Sequence, residues 1–309
     1  MIAKTSLLLA LCATTAALAP GKRVAVVGAS GNVGKLVALR LCAQYDVRGV
    51  VRSAERCRSF LPDVELVEVD LRAPGDALES ALAGAAGLVI CTGTTAFPTK
   101  AWSETGRDGV AAPVLKALVD AGFDKTAAIA DLTAQGYNTP QTVDEAGTLR
   151  ILEAWAAAAG AARERLVLLS SVGVRRRGEM PYPILNACGV LDAKAAAEDA
   201  IAADAAAGGY AYTIVRPSQL FGGPYDNNVY LGTLFQLDKD ADTREVLLGR
   251  GDVTMNDDPQ LGTLRSTLAE VIAQTLETGA CENLDFTVVN GKGEFPEADV
   301  LRARLAALG

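Results

Sequence analysis

The sequence predicts an α/β protein built on a doubly wound parallel sheet with a small C-terminal region, and three observations lead to this prediction. Short, almost continuously apolar runs alternate along the chain with segments of helical pattern. A glycine-rich turn follows the first apolar run and opens the first helix. The chain has 309 residues, of which 50% are hydrophobic, so it can bury a sizeable core. Such alternation is typical of a parallel sheet that helices cover on both faces.

The predicted elements form one domain at residues 22–295, followed by a short C-terminal helix at 296–309. The apolar runs are rich in β-branched residues, which favours strands. The predicted strands lie at 23–28, 47–52, 64–69, 87–93, 165–171, 211–217 and 284–290. The predicted helices lie at 33–44, 76–84, 141–159, 190–207 and 263–278.

Two segments depart from this alternation. Residues 103–138 separate the fourth strand from the next helix and show helical patterning around 108–121. The segment is long for a connection, so we expect an insertion with its own structure, acting as a lid or as a surface for a protein partner. Residues 218–262 hold Gly, Pro, Asn and Asp in irregular order, and a late segment of this kind usually builds the substrate side of the cleft.

The charge balance argues against a nucleic-acid partner. The net charge is −8, whereas a nucleic-acid surface needs clustered Lys and Arg. The only short basic run, Arg175 to Arg177, is expected to be a solvated loop, with a phosphate site as the alternative.

Histidine and cysteine usage narrows the possible chemistry. The chain has no histidine, which excludes Ser-His-Asp and Cys-His catalysis and removes the commonest metal ligand. The six cysteines show no CxxC spacing, so we expect mostly buried free thiols in a reducing compartment, and no metal site. A thiol-redox role for one of them is the alternative.

The N-terminus predicts a targeting presequence at residues 1–19. It carries a basic residue, Lys4, then an apolar run and small residues around Ala16 and Ala17, as in a secretory signal peptide. The run is too short for a stable membrane span, and no later segment is long enough for a transmembrane helix. Its ending, TAALAP, resembles the junction of bipartite plastid presequences of algae, and the free thiols favour the plastid (chloroplast) stroma. The secretory pathway is the alternative.

The turn after the first strand has the pattern of a phosphate-binding loop. Gly28, Gly31 and Gly34 form a G-x-x-G-x-x-G sequence, with Ser30, Asn32 and Val33 between the glycines. The first glycine permits a tight turn, the second lets backbone approach a pyrophosphate, and the third lets the helix pack closely on the strand. The pyrophosphate then lies on the helix N-terminus, where the amide groups favour negative charge. An ordinary glycine-rich turn is the alternative.

The second strand indicates the cofactor. Proteins that prefer NAD place Asp or Glu about 20 residues beyond the turn, on the ribose 2′-hydroxyl. Here Arg52 stands eighteen residues past Gly34, with Ser53, Arg56 and Lys35 nearby. An arginine attracts a 2′-phosphate, so we predict NADP(H) in preference to NAD(H).

Two residues after the third strand are placed to reach the adenine. Asp70 could accept a hydrogen bond from its amino group, and Leu71 lies beside it. A helix N-cap is the alternative role for Asp70.

Several blocks together resemble the atypical short-chain dehydrogenase/reductase (SDR) superfamily, above all its NAD(P)-binding Rossmann-fold plastid proteins of plants and algae. The resemblance runs from about residue 22 to 295 and is interrupted by the insertion. It implies a single Rossmann-like domain with a small C-terminal substrate region. The blocks are GASGNVG (28–34), VDL (69–71), LVICTGTTAFPTKAW (88–102), LVLLSSVGV (166–174), GVLDAKAAAED (189–199) and TIVRPSQLFGGPY (213–225).

The resemblance also implies roles for residues at the ends of the strands. Lys194 matches the lysine of the Tyr-x-x-x-Lys pair, which binds the nicotinamide ribose. The residues expected along the cofactor ribose are Cys91, Thr92 and Gly93. Those expected beside the nicotinamide and its carboxamide are Ser170, Ser171, Arg216, Pro217 and Ser218.

The chain departs from the family at the proton donor. Four residues before Lys194, where the family has tyrosine, stands Val190, which has no proton to give. The remaining donors are Ser171, Tyr225, Tyr182, Lys194 itself or water.

Two interpretations of Lys194 remain. It shares the apolar stripe of its helix with Val190 and Ile201, which favours contact with the cofactor ribose. It also lies four residues before Glu198, so a surface ion pair is the alternative.

Three functions follow from these observations. The first is an NADPH-dependent oxidoreductase that acts on a small organic substrate. The second is a non-catalytic NADP(H)-binding redox sensor or scaffold that uses the 103–138 insertion as a partner surface. The third is an epimerase or isomerase of the nucleotide-sugar type, and Val190 counts against it because that chemistry normally also needs the tyrosine.

Overall fold

The structure, a computed structural model, describes residues 17–223, 242–255 and 262–309. Its central sheet contains eight strands in this described part of the chain, ordered β3-β2-β1-β4-β5-β6-β10-β8. A second, two-stranded sheet pairs β7 with β9. The strands are β1 (Arg23–Val27), β2 (Asp46–Val51), β3 (Glu65–Glu68), β4 (Gly87–Ile90), β5 (Arg165–Leu169), β6 (Ala211–Pro217), β7 (Leu220–Phe221), β8 (Glu245–Arg250), β9 (Thr263–Leu264) and β10 (Leu284–Gly291).

The helices follow the strands in alternation. Those before β6 are α1 (Gly34–Leu41), α2 (Ala54–Cys57), α3 (Gly75–Leu82), α4 (Ala111–Asp120), α5 (Lys125–Ala134), α6 (Gly147–Ala159), α7 (Tyr182–Leu185) and α8 (Val190–Gly208). Two more, at Arg265–Thr278 and Ala298–Ala306, flank β10. Short 3-10 turns lie at Lys100–Trp102 and Gly160–Ala162, and a π-helical turn at Gln141–Ala146 leads directly into α6. None of the helices in the described ranges combines the length and the apolar character that a membrane crossing requires.

The strand pairing confirms the predicted fold class. β1 lies between β2 and β4 and is parallel to both, with Val24 opposite Val47 on one side and Gly87 on the other. β10 continues the parallel sheet beside β6, and among the described strands of the central sheet only β8 runs antiparallel to its neighbour. The chain winds outward from β1 to β3 and then crosses back to β4, so the strand order reverses between β1 and β4. In a sheet of this kind ligands bind at that reversal, outside the carboxyl ends of the strands.

The core consists of two apolar layers, one on each face of the sheet. Successive residues of β1 alternate between them: Val24 and Val26 belong to one layer, and Ala25 and Val27 to the other. The first layer includes residues of α1 and of the helix Arg265–Thr278, and the second includes residues of α3, α6 and α8. Because both faces are covered, the strand is apolar throughout, which made it recognisable from the sequence.

The 103–138 segment contains the helical hairpin of α4 and α5. The two helices and the preceding 3-10 turn share a small core of Trp102, Val110, Ala117, Ala128 and Leu132. Arg72, which follows β3, connects the segment to the main sheet: its guanidinium donates a hydrogen bond to the carbonyl of Gly136 at 3.2 Å.

The N-terminal boundary of the packed domain lies before residue 22. Leu18, inside the predicted presequence 1–19, is 2% exposed and belongs to the first core layer. Its amide donates to the carbonyl of Leu276, and its own carbonyl accepts from the Tyr45 hydroxyl. Residues 1–16, which hold most of the predicted presequence, lie outside the described residues.

The basic run at 175–177 lies in a loop where Arg175 and Arg177 keep 40% of their side chains exposed. Each arginine forms an ion pair: Arg175 with Glu198 and Asp199, Arg176 with Asp252, and Arg177 with Asp192. The physical reason is that acidic residues of α8 and of the segment after β8 approach this loop and neutralise it.

Candidate functional site

The glycine-rich turn between β1 and α1 is closed too tightly for side chains. Gly28 has φ +84°, and a Cβ there would lie 3.0 Å from Thr92. A Cβ on Gly34 would lie 2.2 Å from the Gly28 carbonyl oxygen, and one on Gly31 would lie 3.2 Å from the same atom. The turn therefore requires glycine at positions 28 and 34 and brings α1 against the end of β1.

The N-terminus of α1 is suited to an anion. The N-cap is Val33, no described side chain caps the helix, and its first turn holds no acidic residue. The first amide groups of a helix lack partners within it and carry partial positive charge.

Buried polar atoms without a partner lie in the turn, beside it and near Gly189. Asn32 Oδ1, Thr92 Oγ1 and Gln141 Oε1 are buried and accept no hydrogen bond from the part of the chain that the structure describes. An unsatisfied buried polar group costs about 1–3 kcal/mol, so these atoms fit a site where a polar ligand completes their hydrogen bonds. Together with the tight glycine turn and the uncapped helix, they fit a dinucleotide.

Arg52 lies at the end of β2 beside two further arginines. Its pKa is below the ordinary value because its guanidinium is partly withdrawn from water and because Arg56 and Arg72 lie nearby, although the side chain keeps an exposed surface. Within the described ranges no carboxylate pairs with Arg52, and its only hydrogen bond is a 3.4 Å contact to the Glu104 carbonyl. This leaves positive charge at the position predicted for the 2′-phosphate.

Asp70 is engaged by Arg72 at the end of β3. The Arg72 Nε donates to both carboxylate oxygens, at 3.0 and 3.1 Å, and its backbone amide also donates to Asp70. The hydrogen bonds from Arg72 lower the pKa of Asp70 despite partial burial. The alternative N-cap role is wrong, because α3 begins at Gly75 with Pro74 as its N-cap. Leu71 offers its carbonyl to Arg150 at 3.1 Å.

Lys194 forms an ion pair with Asp144, a residue that the sequence reasoning missed. The Lys194 Nζ donates to Asp144 Oδ1 at 2.7 Å, and the two side chains are 13% and 2% exposed. The other carboxylate oxygen accepts from the amide and the hydroxyl of Thr94, at 3.0 and 2.6 Å. A Cβ on Gly93 would lie 3.1 Å from Nζ and 3.2 Å from Oδ1, so the chain passes close to this pair and a larger residue would press against it.

The alternative pair between Lys194 and Glu198 is wrong. Glu198 is fully buried and accepts hydrogen bonds from Arg216 at 2.9 and 2.8 Å and from the Ser170 hydroxyl at 2.6 Å. Arg216 also pairs with Asp285. Ser170 and Arg216 are therefore held within a buried charge network, and Ser171 is the serine at this strand end that keeps partial exposure.

Val190 begins α8 and is 4% exposed, within a small apolar cluster with Val174, Leu191 and Ala195. The ring of Tyr182 packs on this cluster from α7. A Cβ on Gly173 would overlap the Tyr182 ring at 2.1 Å, so glycine makes room for it. The Tyr182 hydroxyl has no hydrogen-bond partner among the described residues. The Tyr182 phenol thus packs on the cluster that contains Val190.

The remaining predicted residues also lie at strand ends. The Cys91 amide donates to Val27 at 2.9 Å, and burial raises the pKa of its thiol to about 12, so the thiol is protonated at neutral pH. The Pro217 carbonyl accepts from the Val172 amide, and the Ser218 amide donates to Thr263 Oγ1. Tyr225 lies outside the described residues.

The structure brings most of the predicted residues to one edge of the sheet. They follow the carboxyl ends of β1 to β6 on both sides of the β1/β4 reversal. No three Cys, Asp or Glu side chains in the described ranges form a group that could hold a metal ion. A depression of about 640 Å³ is lined by Cys281 and the C-terminal helix. Cys281 comes just before β10, so this depression lies at the opposite edge of the sheet, where the parallel strands begin.

Comparisons with known proteins agree with this geometry. The model of a family described as NAD(P)H-binding matches residues 28–278. No curated protein matches the chain. A Bacillus halodurans structure named as an NAD-dependent epimerase/dehydratase aligns at 20% identity with a TM-score of 0.59, over 92% of this chain and 100% of that one.

Two further structures, an oxidoreductase and a reductase, are similar in fold over most of the chain. An oxidoreductase from Lactococcus lactis aligns at 15% identity with a TM-score of 0.56, over 93% of this chain and 96% of that one. An anaerobillin reductase from Escherichia coli aligns at 14% identity with a TM-score of 0.54, over 89% of this chain and 100% of that one. At these identities the likeness shows the fold alone.

Proposed function

Because the chain belongs to the NAD(P)H-binding family, we propose that it is an NADP(H)-dependent oxidoreductase that acts on a small organic substrate. The observation that carries this proposal is the ion pair of Lys194 with Asp144, held against Gly93 at the carboxyl end of β4. A lysine with only 13% of its side chain exposed is costly to desolvate even beside a carboxylate, so a nearly buried ion pair in a cleft marks a candidate functional site.

Each part of the cofactor can be assigned to residues of this cleft. The turn from Gly28 to Gly34 and the N-terminus of α1 would bind the pyrophosphate. Arg52, with Arg56 nearby, would bind the 2′-phosphate, which supports NADP(H) over NAD(H). The adenine would lie by Asp70 and Leu71, the riboses by Cys91, Thr92, Gly93 and Lys194, and the carboxamide by Pro217 and Ser218.

The chain's own residues would position the substrate and move one proton. When bound, NADPH supplies a hydride, which together with one proton converts a carbonyl into an alcohol and leaves NADP⁺. Asp144 takes one of the three Lys194 donors, so two remain for ribose hydroxyls. We propose Tyr182 as the proton donor, since it packs beside Val190 with its hydroxyl unpartnered in the described part of the chain. Ser171, Lys194, water and Tyr225 are the other candidates.

A titration tests the proposal in two stages. The protein is first titrated with NADPH, NADP⁺ and NADH in a calorimeter, which measures binding of the oxidised and the reduced cofactor alike. We expect saturable binding of NADPH that weakens in Lys194→Ala. Oxidation of NADPH is then screened against small aldehydes, ketones and activated alkenes. Absence of NADPH binding would overturn the proposal, and binding without any turnover would favour the second candidate function.

The second candidate is a non-catalytic NADP(H)-binding redox sensor or scaffold. The observation that favours it is an exposed apolar stripe on the helical hairpin, formed by Leu115, Val119 and Phe123, which are 60%, 54% and 71% exposed. Such a stripe is suited to a protein partner. This function requires affinities for NADP⁺ and NADPH that differ. It also requires loss of partner binding in a Leu115→Ser, Val119→Ser double variant that still binds NADPH.

We propose a plastid location on the strength of the presequence predicted at 1–19, with the secretory pathway as the alternative. Because Leu18 packs in the core, we place the cleavage before residue 18. Fusion of these residues to a fluorescent protein in an algal cell tests this. Fluorescence confined to the plastid supports the proposal, and fluorescence in the medium or the endoplasmic reticulum contradicts it.

A further inference from the structure

A cavity of about 250 Å³ lies between the helical hairpin and the chain that leads into α8. Ile129 and Leu132 of α5 and Leu118 of α4 form one wall. Phe97 and Pro98 form part of a second wall, and Ala187 and Cys188 part of a third. A water molecule takes up about 30 Å³ of liquid volume, so the cavity has room for about eight carbon-sized groups.

The chemistry of the lining indicates an apolar ligand with one negative charge. Apart from Lys125, the lining side chains are aliphatic or aromatic, or come from proline or cysteine. The Lys125 side chain is exposed at the rim and forms no ion pair within the described ranges. Trp102 lines the same cavity, and its indole nitrogen is buried without a hydrogen-bond partner in the described part of the chain. An apolar body would fill the lining, and a carboxylate would pair with Lys125.

The cavity adjoins the candidate reaction site through two of its walls. Phe97 follows three residues after Thr94, whose amide and hydroxyl hold Asp144. Cys188 precedes Val190 by two residues and Lys194 by six. The two segments that border the Lys194–Asp144 pair therefore continue directly into the walls of the cavity.

We propose that this cavity selects the substrate, an apolar carboxylic acid with a reducible carbonyl or alkene group. Its apolar body of about eight carbons occupies the cavity. Its carboxylate pairs with Lys125, and its reducible group lies toward Lys194. This inference rests on the proposed oxidoreductase function and specifies the class of its substrate.

Calorimetric titration of the full chain with octanoate, a non-reducible probe of this class, tests the cavity separately from the cofactor. Butyrate and 1-octanol serve as the short and the uncharged comparison. We expect octanoate to bind at least about tenfold more tightly than butyrate, because four more methylene groups are buried. Lys125→Ala should weaken octanoate about two- to fivefold, as for an exposed ion pair, and leave 1-octanol unchanged.

A variant that fills the cavity provides the sharper comparison. Ile129→Phe narrows the cavity and should weaken octanoate and 1-octanol alike by about tenfold or more. Ala130→Phe, on the exposed side of the same helix, is the matched control and should change neither. NADPH binding should be the same in all of these variants, which also shows that they are folded.

The outcomes separate this inference from the proposed function. If the protein binds NADPH but not octanoate, the substrate class is wrong and the oxidoreductase function stands. If octanoate binds and Ile129→Phe does not weaken it, the acid binds elsewhere and the cavity proposal is wrong. Failure to bind NADPH overturns the proposed function itself.

Discussion

The ammonium of Lys194 lies 2.7 Å from Asp144 Oδ1, although fifty residues separate the two along the chain. Asp144 lies in the π-helical turn that precedes α6, and Lys194 lies in the first turns of α8. The pair connects these two elements at the place where β4 leaves the sheet. The orientation of Lys194 therefore depends on a carboxylate outside the Tyr-x-x-x-Lys pattern.

Loss of the Asp144 charge should weaken both the fold and cofactor binding. Asp144→Asn leaves the Lys194 ammonium with little exposure and no counter-charge, and breaking a buried pair in this way costs about 3–5 kcal/mol of unfolding free energy. We expect NADPH to bind at least about tenfold more weakly, since Lys194 loses its fixed orientation. Denaturant unfolding and NADPH titration measure the two effects.

A neighbouring residue supplies the control for this variant. Glu145→Gln changes the next carboxylate in the same turn and should alter neither quantity. In the double variant Asp144→Asn, Lys194→Met, stability should recover while NADPH affinity stays low. If the double variant binds NADPH as the wild type does, the pair has no role in cofactor binding.

Charge reversal at Arg52 should change the cofactor preference. Arg52→Glu places a carboxylate where the 2′-phosphate is expected, and the loss of a charge-assisted hydrogen bond corresponds to about a 10- to 100-fold weaker affinity for NADPH. NADH affinity should be unchanged or higher, because its ribose carries a hydroxyl there. Arg58→Glu reverses a nearby exposed charge and is the control. Equal losses of NADPH and NADH in Arg52→Glu would argue against a 2′-phosphate contact.

Removal of the Tyr182 hydroxyl should affect turnover and not binding. Tyr182→Phe keeps the ring that packs on the Val190 cluster and removes the proposed proton donor. General acid catalysis contributes about 10²–10⁴-fold, so we expect a loss in kcat of at least about 100-fold with the Kd for NADPH unchanged. Tyr137→Phe, in the helical hairpin, is the matched control. An unchanged kcat in Tyr182→Phe would transfer the role to Ser171, Lys194, water or Tyr225.

Glu270 should make stability depend on pH in the acidic range. Burial alone would raise its pKa, but hydrogen bonds from Arg40 and Gln274 outweigh this effect, so the pKa of Glu270 is lower in the folded state. The stabilisation is therefore fully present above the unfolded value of about 4.3 and is lost as the pH falls through the folded pKa.

A comparison of variants across pH tests this dependence. Glu270→Gln should reduce the unfolding free energy by about 1–2 kcal/mol at pH 7, and the difference should disappear near the acid limit. Glu294→Gln, an exposed position, should show no difference at either pH. A difference between Glu270→Gln and the wild type that stays constant from pH 7 to pH 3 would contradict the assigned ion pair.

Leu18 should contribute to the stability of the domain although it precedes the first strand. Its side chain is 2% exposed and lies against the position of Gly87, where a Cβ would approach it to 2.8 Å. Leu18→Ala should lower the unfolding free energy by about 2–5 kcal/mol, and Ala19→Ser, at an exposed position, should change it little. Equal stability of the two variants would show that residue 18 is not part of the core.

The fold was predictable because its signals are local. β1, β5 and β6 are buried on both faces, so their sequences read as apolar runs whatever the rest of the chain does. The predicted ends of β4 and β5 were three and two residues too late. The residues that follow these two strands are small or apolar, so the sequence does not mark where the strands end. They are Cys91 to Gly93 after β4 and Ser170 and Ser171 after β5, and they leave the sheet to border the cleft.

The site was only partly predictable because its decisive contacts are distant along the chain. Gly28 and Gly34 belong to a recognisable turn, whereas Asp144 meets Lys194 across fifty residues and has no motif of its own. The one available signal was physical: an inward-facing lysine needs a counter-charge. Glu198, four residues after Lys194, was the expected counter-charge, but it forms its ion pair with Arg216 on β6.

Fluorescence titration of the wild type and Lys194→Ala with NADPH, and of the wild type with NADH, tests the central claim most directly. We expect the wild type to bind NADPH at least about tenfold more tightly than NADH, because only NADPH has a 2′-phosphate for Arg52. We also expect Lys194→Ala to lose at least about tenfold in affinity for NADPH, because the ribose contacts of the ammonium disappear. A wild-type protein that does not bind NADPH, or a Lys194→Ala variant with wild-type affinity, would contradict the account.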